Sequence, residues 1–572
     1  MFISMPQVMQ ISPRKAADLT HMNIKILSAS LISLAAFAAG YAQAPDNTAE
    51  VDKIFGWTKP NEPGCAVAVS QNGKLVVNKA YGSADLEREV PITANTVFDA
   101  GSIRKQFVAA AILLLAEEGK LSLTDDVRKH IPQMPDYGHK IMIDHLLTHT
   151  SGIRDWQPLL NLAGGDPDAM TMILRQREIN FNPGDEWSYS NSGYVLLPEI
   201  VTRVSGTPFS EFVRKRLFEP LGMKLTTYVD DPLFLIKNRA LAYKKEKDAW
   251  KMDMYLGRER GGAGALFTTA ADLASWNDAL ANKRLGAFVS QKLTEPAVLN
   301  NGRKLSYARG LQLEPFRGGG QMVWHSGGAA GYSAVAGYLP QQGLSFGITC
   351  NADGSARSQY AGRLLDLFLP PGSIREGSPV AAPGDAKKPP MNADAGLSAK
   401  AGVFFDEKTG LPLRLAVNNN TLTIPGGGPL VAVAADRFRN QRTTPFFMSE
   451  AEFELQFLSA DQIELKTKDG VVTRYRRARA WAPTADDLKA FAGRFYSDDL
   501  MGFFDATPTK DGLGVRSNDA GNTAEFKPVE RDTFQIGQSM LRFQRDEGGK
   551  VAGLEYSNPL LRKVKFKLTS DR

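Results

Sequence analysis

Two apolar runs, Cys65–Val69 and Leu75–Asn78, flank the polar segment Ser70-Gln71-Asn72-Gly73-Lys74. Asn-Gly at the centre of such a segment predicts a β-hairpin, because both residues tolerate the positive φ of a tight turn. Ser102 to Glu118 is apolar nearly all round. That pattern predicts a helix in the middle of a core, with Gly119 placed to end it. A glycine-rich stretch, Arg260-Gly261-Gly262-Ala263-Gly264, precedes a further helix through Asp272 to Ala279. Helices and strands therefore mix over residues 48–370. Residues 371–396 are rich in Pro, Gly, Ala and charge and read as a linker. Beyond them the pattern turns to short alternating strands and repeats. Leu397 with Ala401-Gly402-Val403-Phe404-Phe405 recurs 91 residues later as Leu488 with Ala492-Gly493-Arg494-Phe495-Tyr496. Later strands correspond less well, as Phe453–Phe457 does with Leu541–Phe543. Two related β units, 397–482 and 483–572, are expected, each a small barrel or sandwich.

The first 44 residues have a different character. Met22-Asn23-Ile24-Lys25 is a short basic start, Ile26 to Gly40 an uncharged and mostly apolar run, and Ala42-Gln43-Ala44 a set of small residues. This is the layout of a secretory signal peptide, with an apolar stretch short for a bilayer span. Residues 1–44 are read as leader and signal, and the mature protein as periplasmic or secreted with no stable membrane span.

A chain of 572 residues is more than one core usually serves, so several domains are expected. Hydrophobic residues at 43% and charged residues at 23% are ordinary for globular proteins, which excludes a disordered, collagenous or polytopic membrane chain. Removal of residues 1–44 leaves 65 basic against 61 acidic residues, a net charge of +4. That is too weak over such a length to indicate a nucleic-acid partner. Arg474, Arg476, Arg477 and Arg479, and the alternating Lys563-Val564-Lys565-Phe566-Lys567, read as the wet faces of strands. Cys65 and Cys350 are the two cysteines. An exported protein can pair them, and two buried thiols are an equal reading.

Ser102-Ile103-Arg104-Lys105 carries the first chemical signal. A spacing of three on a helix brings Ser102 and Lys105 onto one face, and a buried amine with a lowered pKa can activate a hydroxyl. The helix start adds free backbone N–H groups that favour developing negative charge. The spacing alone is weak, because Ser12-Pro13-Arg14-Lys15 shows it too. Tyr189-Ser190-Asn191 offers a phenol to relay protons and an amide to hold a substrate carbonyl. Its duplicate Tyr556-Ser557-Asn558 lies in the last β unit and reads as structural. His325-Ser326-Gly327-Gly328 would present backbone N–H groups to a scissile carbonyl, with glycine allowing close approach.

The order and spacing of these elements, with Phe98-Asp99-Ala100-Gly101, Leu146-Leu147-Thr148-His149-Thr150-Ser151-Gly152 and Asp272-Leu273-Ala274-Ser275-Trp276, resemble the serine β-lactamase and penicillin-binding superfamily. The likeness is greatest to the branch holding class C β-lactamases, D-aminopeptidases, DD-carboxypeptidases and esterases, and covers residues 48–370. It implies an α+β fold. An antiparallel sheet flanked by helices, with a helical subdomain, would be followed by two small all-β barrel-like domains. It also implies a serine hydrolase with Ser102 as acylated nucleophile, Lys105 as activating amine and Tyr189 as proton shuttle, with either Lys105 or Tyr189 taking the serine proton. Asn191, His325, Ser326, Gly327 and Gly328 would bind substrate, with the Ser102 and Gly328 N–H groups as oxyanion hole. No metal or organic cofactor is implied. His145 and His149 are spaced like a metal pair but fall in a structural turn of this family. Trp187 and Trp276 read as core. Asp155 and Glu186, near the site in sequence, read as surface residues.

His325 stands where β-lactamases usually carry lysine, and a largely neutral ring offers no fixed charge to a β-lactam carboxylate. A peptidase or amidase on short peptides with D-residues is therefore the leading expectation. A carboxylesterase, a weak β-lactamase and a non-catalytic binder of cell-wall fragments are the alternatives. The D-aminopeptidases of this branch append two β-barrels as well. In them a loop from an appended domain can shape the active-site mouth, for which Pro425-Gly426-Gly427-Gly428-Pro429 is a candidate, with an ordinary turn as the other reading.

Overall fold

The structure, a computed structural model, describes residues 47–569 apart from 232–233, 254–263, 316–319, 353–355, 370–395, 426, 441–452, 469 and 519–522. The leader 1–44, nearly all of the linker 371–396, and residues 260–263 of the glycine-rich stretch lie outside the described residues.

An antiparallel sheet of six strands forms the centre, in the order Gln312–Pro315, Gln321–Ala329, Tyr332–Leu339, Leu344–Cys350, Cys65–Gln71 and Lys74–Tyr81. The hairpin between the last two turns at Asn72 and Gly73, with φ of 51° and 77°. Both angles are positive, as a two-residue turn that follows the strand twist requires. Leu344–Cys350 and Cys65–Gln71 are neighbours in register, with Cys65 opposite Cys350. That register resolves the cysteine question, and the two residues form a disulfide.

The helix expected from Ser102 begins as a 3-10 turn, Gly101–Ile103, and continues as the α-helix Arg104–Glu117. Every residue from Lys105 to Leu113 is buried, so the helix has no wet face to choose, and Gly119 follows its end at φ 69°. It packs against the helices Gly193–Ser205 and Ala287–Thr294, while Ala270–Ala281 lies on the central sheet.

Two closed eight-stranded barrels follow, one from Gly402 to Arg477 and one from Gly493 to Leu568. Closure removes exposed sheet edges, which is how short alternating strands become stable. Gly402 and Gly493 open the two first strands at φ 147° and 151°, the structural counterpart of the sequence echo. Phe453–Phe457 and the strand Ser539–Arg545 are both the sixth strand of their barrel. In the last strand Lys563, Lys565 and Lys567 face water while Val564 and Phe566 are buried. Pro425–Pro429 belongs to an ordinary hairpin turn between Thr421–Ile424 and Gly428–Ala434, with Gly426 outside the described residues.

The barrels are seated differently. A continuous hydrophobic cluster runs from Ile103, Phe107, Leu159 and Met172 into Leu500, Phe504 and Phe543 of the second barrel. The first barrel has its own core around Phe404, Leu430 and Leu455, and a small cluster of Phe405, Val529 and Met540 joins it to the second. Arg154, 2% exposed, lies at the seam with the second barrel. It donates to the carbonyls of Arg562 and Lys563 and approaches Asp499 and Glu178.

Candidate active site

Ser102 sits at the tip of the 3-10 turn, where the chain passes beneath the strand Gln321–Ala329. The approach is close enough to exclude side chains. A β-carbon on Gly327 would overlap the Ala100 carbonyl oxygen, and one on Gly101 would lie 2.6 Å from the Gly328 nitrogen. Glycine is therefore required at both places, and it brings the Gly327–Gly328 backbone against the turn that holds Ser102.

Three side chains meet at the serine. Lys105 Nζ is 3.0 Å from Ser102 Oγ, and Tyr189 donates its phenol to the same oxygen at 2.8 Å. Lys105 also donates to Asn191 Oδ1 at 2.8 Å and lies 4.6 Å from the centre of the Tyr189 ring. Lys105 is fully buried. Burial holds its pKa well below the usual lysine range, with Arg104 adding repulsion and Asp155 opposing both. Burial acts oppositely on the Tyr189 phenol, raising its pKa and keeping it protonated.

Asp155 is not on the surface. It is 2% exposed and caps the helix Trp156–Leu160, accepting from the backbone N–H of Gln157 at 2.9 Å. It also accepts from the Asn191 backbone N–H at 2.7 Å and the Asn191 side-chain amide at 3.1 Å. These donors make a buried carboxylate tolerable where charge alone predicts exposure. The other Asn191 amide hydrogen goes to Gln157 Oε1 at 2.8 Å. Glu186 also departs from its expected surface position. It is partly buried and pairs with Arg562 of the second barrel at 2.8 Å and Lys408 of the first at 2.9 Å. The first barrel thus reaches the segment that carries Tyr189 through the turn holding Lys408.

His325 is buried at 0% exposure, with both ring nitrogens engaged. Nδ1 donates to the Ser326 carbonyl at 2.5 Å, and Nε2 lies 3.2 Å from the Tyr307 hydroxyl. The same hydroxyl is 3.1 Å from Nε2 of His149, whose Nδ1 accepts from the Ser190 N–H at 3.2 Å. Burial and the nearby Lys105 push the His325 pKa down to about 3, and burial likewise holds His149 well below the ordinary histidine range. His145 Nδ1 accepts from the Met142 N–H. Among the described residues no group of three His, Cys, Asp or Glu side chains is placed to hold a metal. Trp276 is core, donating to Gln106 Oε1 and packing on Phe107. Tyr556 and Asn558 of the duplicate motif bond to each other, and Ser557 accepts from the Lys563 N–H, all inside the second barrel.

Sequence reasoning missed Tyr307, Gln157 and the burial of Asp155. Nothing in the sequence marks Tyr307, whose partners His149 and His325 are 158 and 18 residues away.

Comparison with known proteins fits this geometry. The family model described as Beta-lactamase matches residues 49–369, a span that includes every residue around Ser102. The chain belongs to the Beta-lactamase family. The β-lactamase-family region ends before the barrels, but similarity to the D-aminopeptidase of Brucella anthropi does not. That protein is 25% identical over 529 residues, covering 88% of this chain and 95% of the relative. Penicillin-binding protein 4* of Bacillus subtilis (strain 168) is 28% identical over 293 residues, 47% of this chain and 64% of that protein. Among solved structures, the octameric penicillin-binding protein homologue from Pyrococcus abyssi has a TM-score of 0.50 at 24% identity, covering 75% of this chain and 99% of the homologue. With this membership the chain stands among the serine hydrolases of the β-lactamase and penicillin-binding superfamily.

Proposed function

We propose that the protein is an exported peptidase or amidase that cleaves short peptides containing D-residues through an ester of Ser102. One observation carries this reading: Ser102 Oγ is held between a buried amine at 3.0 Å and a protonated phenol at 2.8 Å. The amine's depressed pKa favours its neutral form relative to an ordinary lysine. In that form the Lys105–Ser102 bond reverses, and the serine hydroxyl donates to the nitrogen lone pair.

Lys105 then takes the serine proton as Oγ attacks the scissile carbonyl. Backbone N–H groups of Ser102 and Gly328 face the oxyanion. The Tyr189 phenol, kept protonated by burial, gives its proton to the departing amine and regains one from the Lys105 ammonium. Water attacks the acyl-enzyme ester along the reverse path, losing a proton to the same amine.

Several observations support the choice of substrate. The likeness to a D-aminopeptidase extends through both barrels. A neutral His325 offers no fixed cation for a β-lactam carboxylate, which disfavours an efficient β-lactamase. The Cys65–Cys350 disulfide and the signal-like residues 22–44 agree with an oxidising, extracytoplasmic site of action.

The test compares hydrolysis of D-alanine p-nitroanilide with that of p-nitrophenyl butyrate, with Ser102→Ala as control. Serine-dependent anilide cleavage is expected. Ester cleavage alone would favour a carboxylesterase, with a carboxypeptidase that does not use a free N-terminus as the other reading, and failure of a fluorophosphonate to label Ser102 would leave a binder of cell-wall fragments.

A further inference from the structure

Four hydrogen bonds behind the strand Gln321–Ala329 have directions that the chemistry determines. The Ser326 carbonyl can only accept, so His325 Nδ1 carries the hydrogen in their 2.5 Å bond. The Ser190 backbone N–H can only donate, so His149 Nδ1 is bare and its hydrogen is on Nε2. His149 Nε2–H then donates to the Tyr307 oxygen at 3.1 Å, and the single Tyr307 hydrogen goes to His325 Nε2 at 3.2 Å. The chain runs one way from Ser190 through His149, Tyr307 and His325 to the Ser326 carbonyl, with both rings neutral.

Its two ends lie on the segments that face Ser102. Ser190 stands between Tyr189 and Asn191, and Ser326 is followed by the glycines that press on the Ala100–Ser102 turn. His149 takes an unusual backbone conformation for a residue with a side chain, φ 59°. Such conformations persist where surrounding structure holds them and cluster at functional sites. We propose that Tyr307 and His149 are positioning residues: by fixing His325 as its Nδ1–H tautomer they anchor the Ser326 carbonyl, and so register the Gly327–Gly328 backbone and the Tyr189 segment on Ser102. The proposal rests on Ser102 being the nucleophile. The ionisable groups facing the two rings are Lys105, Tyr189, Tyr194 and Tyr307. Their arrangement disfavours an imidazolium here, because Lys105 repels both rings.

The first readout needs no variant. Nitrogen NMR of the full chain with labelled histidine, six residues in all, is expected to show His325 as the less common Nδ1–H tautomer and His149 as Nε2–H. An Nε2–H form of His325 at neutral pH overturns the proposal. Tyr307→Phe keeps the ring and removes the bond. It is expected to lower kcat about 10-fold with KM changed less than about 2-fold, and to move the acid limb of the kcat profile to higher pH. The sign follows because loss of the donated O–H frees the His325 lone pair for a proton. Fluorophosphonate labelling of Ser102 should persist in this variant. Unchanged kcat and pH profile would overturn the proposal, whereas absence of labelling in the unaltered protein would overturn the nucleophile assignment and leave the tautomer measurement readable.

Discussion

Two arms converge on Ser102, and they handle burial in opposite ways. One runs from Ser102 through Lys105 and Asn191 to Asp155. It buries an amine and a carboxylate that communicate through an amide, and its amine is the group that changes charge. The other runs from Ser190 through His149 and Tyr307 to His325, where burial has removed the charges altogether. A buried charge is costly unless it is paired or neutralised. The first arm keeps a titrating group where a proton must move, and the second keeps neutral rings where only geometry is needed. The difference shows that histidine beside a nucleophile is not by itself a base, since its role follows from what its nitrogens already hold.

The comparison can be broken most severely at the amine. Lys105→Ala should lower kcat/KM by about 10³-fold or more, measured on whichever amide or ester the protein cleaves. An effect under about 10-fold would move the base elsewhere. Asp155→Asn is the next largest. It places an amide against the Asn191 donors, and a loss of about 10- to 100-fold is expected from about 1–3 kcal/mol of unsatisfied bonding. It also removes the negative charge that raises the Lys105 pKa. The acid limb of kcat/KM should therefore move to lower pH, opposite to the shift expected for Tyr307→Phe.

The neutral arm should show in stability. A histidine held neutral in the fold but protonated when unfolded binds fewer protons folded, so its contribution is intact above about pH 6.5 and is lost as pH falls. For His325 the window closes near its folded value of about 3. Each such ring adds at most about 1.4 kcal/mol per pH unit within the window. Denaturant midpoints between pH 6.5 and 4 should fall less steeply for His325→Asn than for the unaltered protein. The smallest effect is expected at the seam. Glu186→Gln weakens two partly exposed ion pairs, and a fall in thermal midpoint of roughly 2 °C is expected by calorimetry, with kcat/KM within about 3-fold.

Legibility in sequence followed the range of the interactions. Ser102 and Lys105 share one helical turn, and Asn72-Gly73 makes its own hairpin, so local chemistry announces them. The barrels were visible because the same glycine and aromatic positions recur, at Gly402 with Phe404 and at Gly493 with Phe495. Their unequal seating was not, since it depends on which apolar faces meet after folding. Asp155 was misread because an isolated carboxylate ordinarily stays wet, and the donors that satisfy it lie up to 36 residues away. Tyr307 was silent because its partners are 158 and 18 residues away. The disulfide was open for the same reason, with 285 residues between its cysteines.

The central claim is that Ser102 is made nucleophilic by a lysine whose pKa burial has lowered. Its most direct test is the pH dependence of fluorophosphonate labelling, followed by intact mass and peptide mapping. The account predicts a single adduct on Ser102, with a labelling rate that rises to a plateau at a pH well below the ordinary lysine value of about 10.4. A rate that keeps rising to that value, or an adduct on another residue, would contradict it.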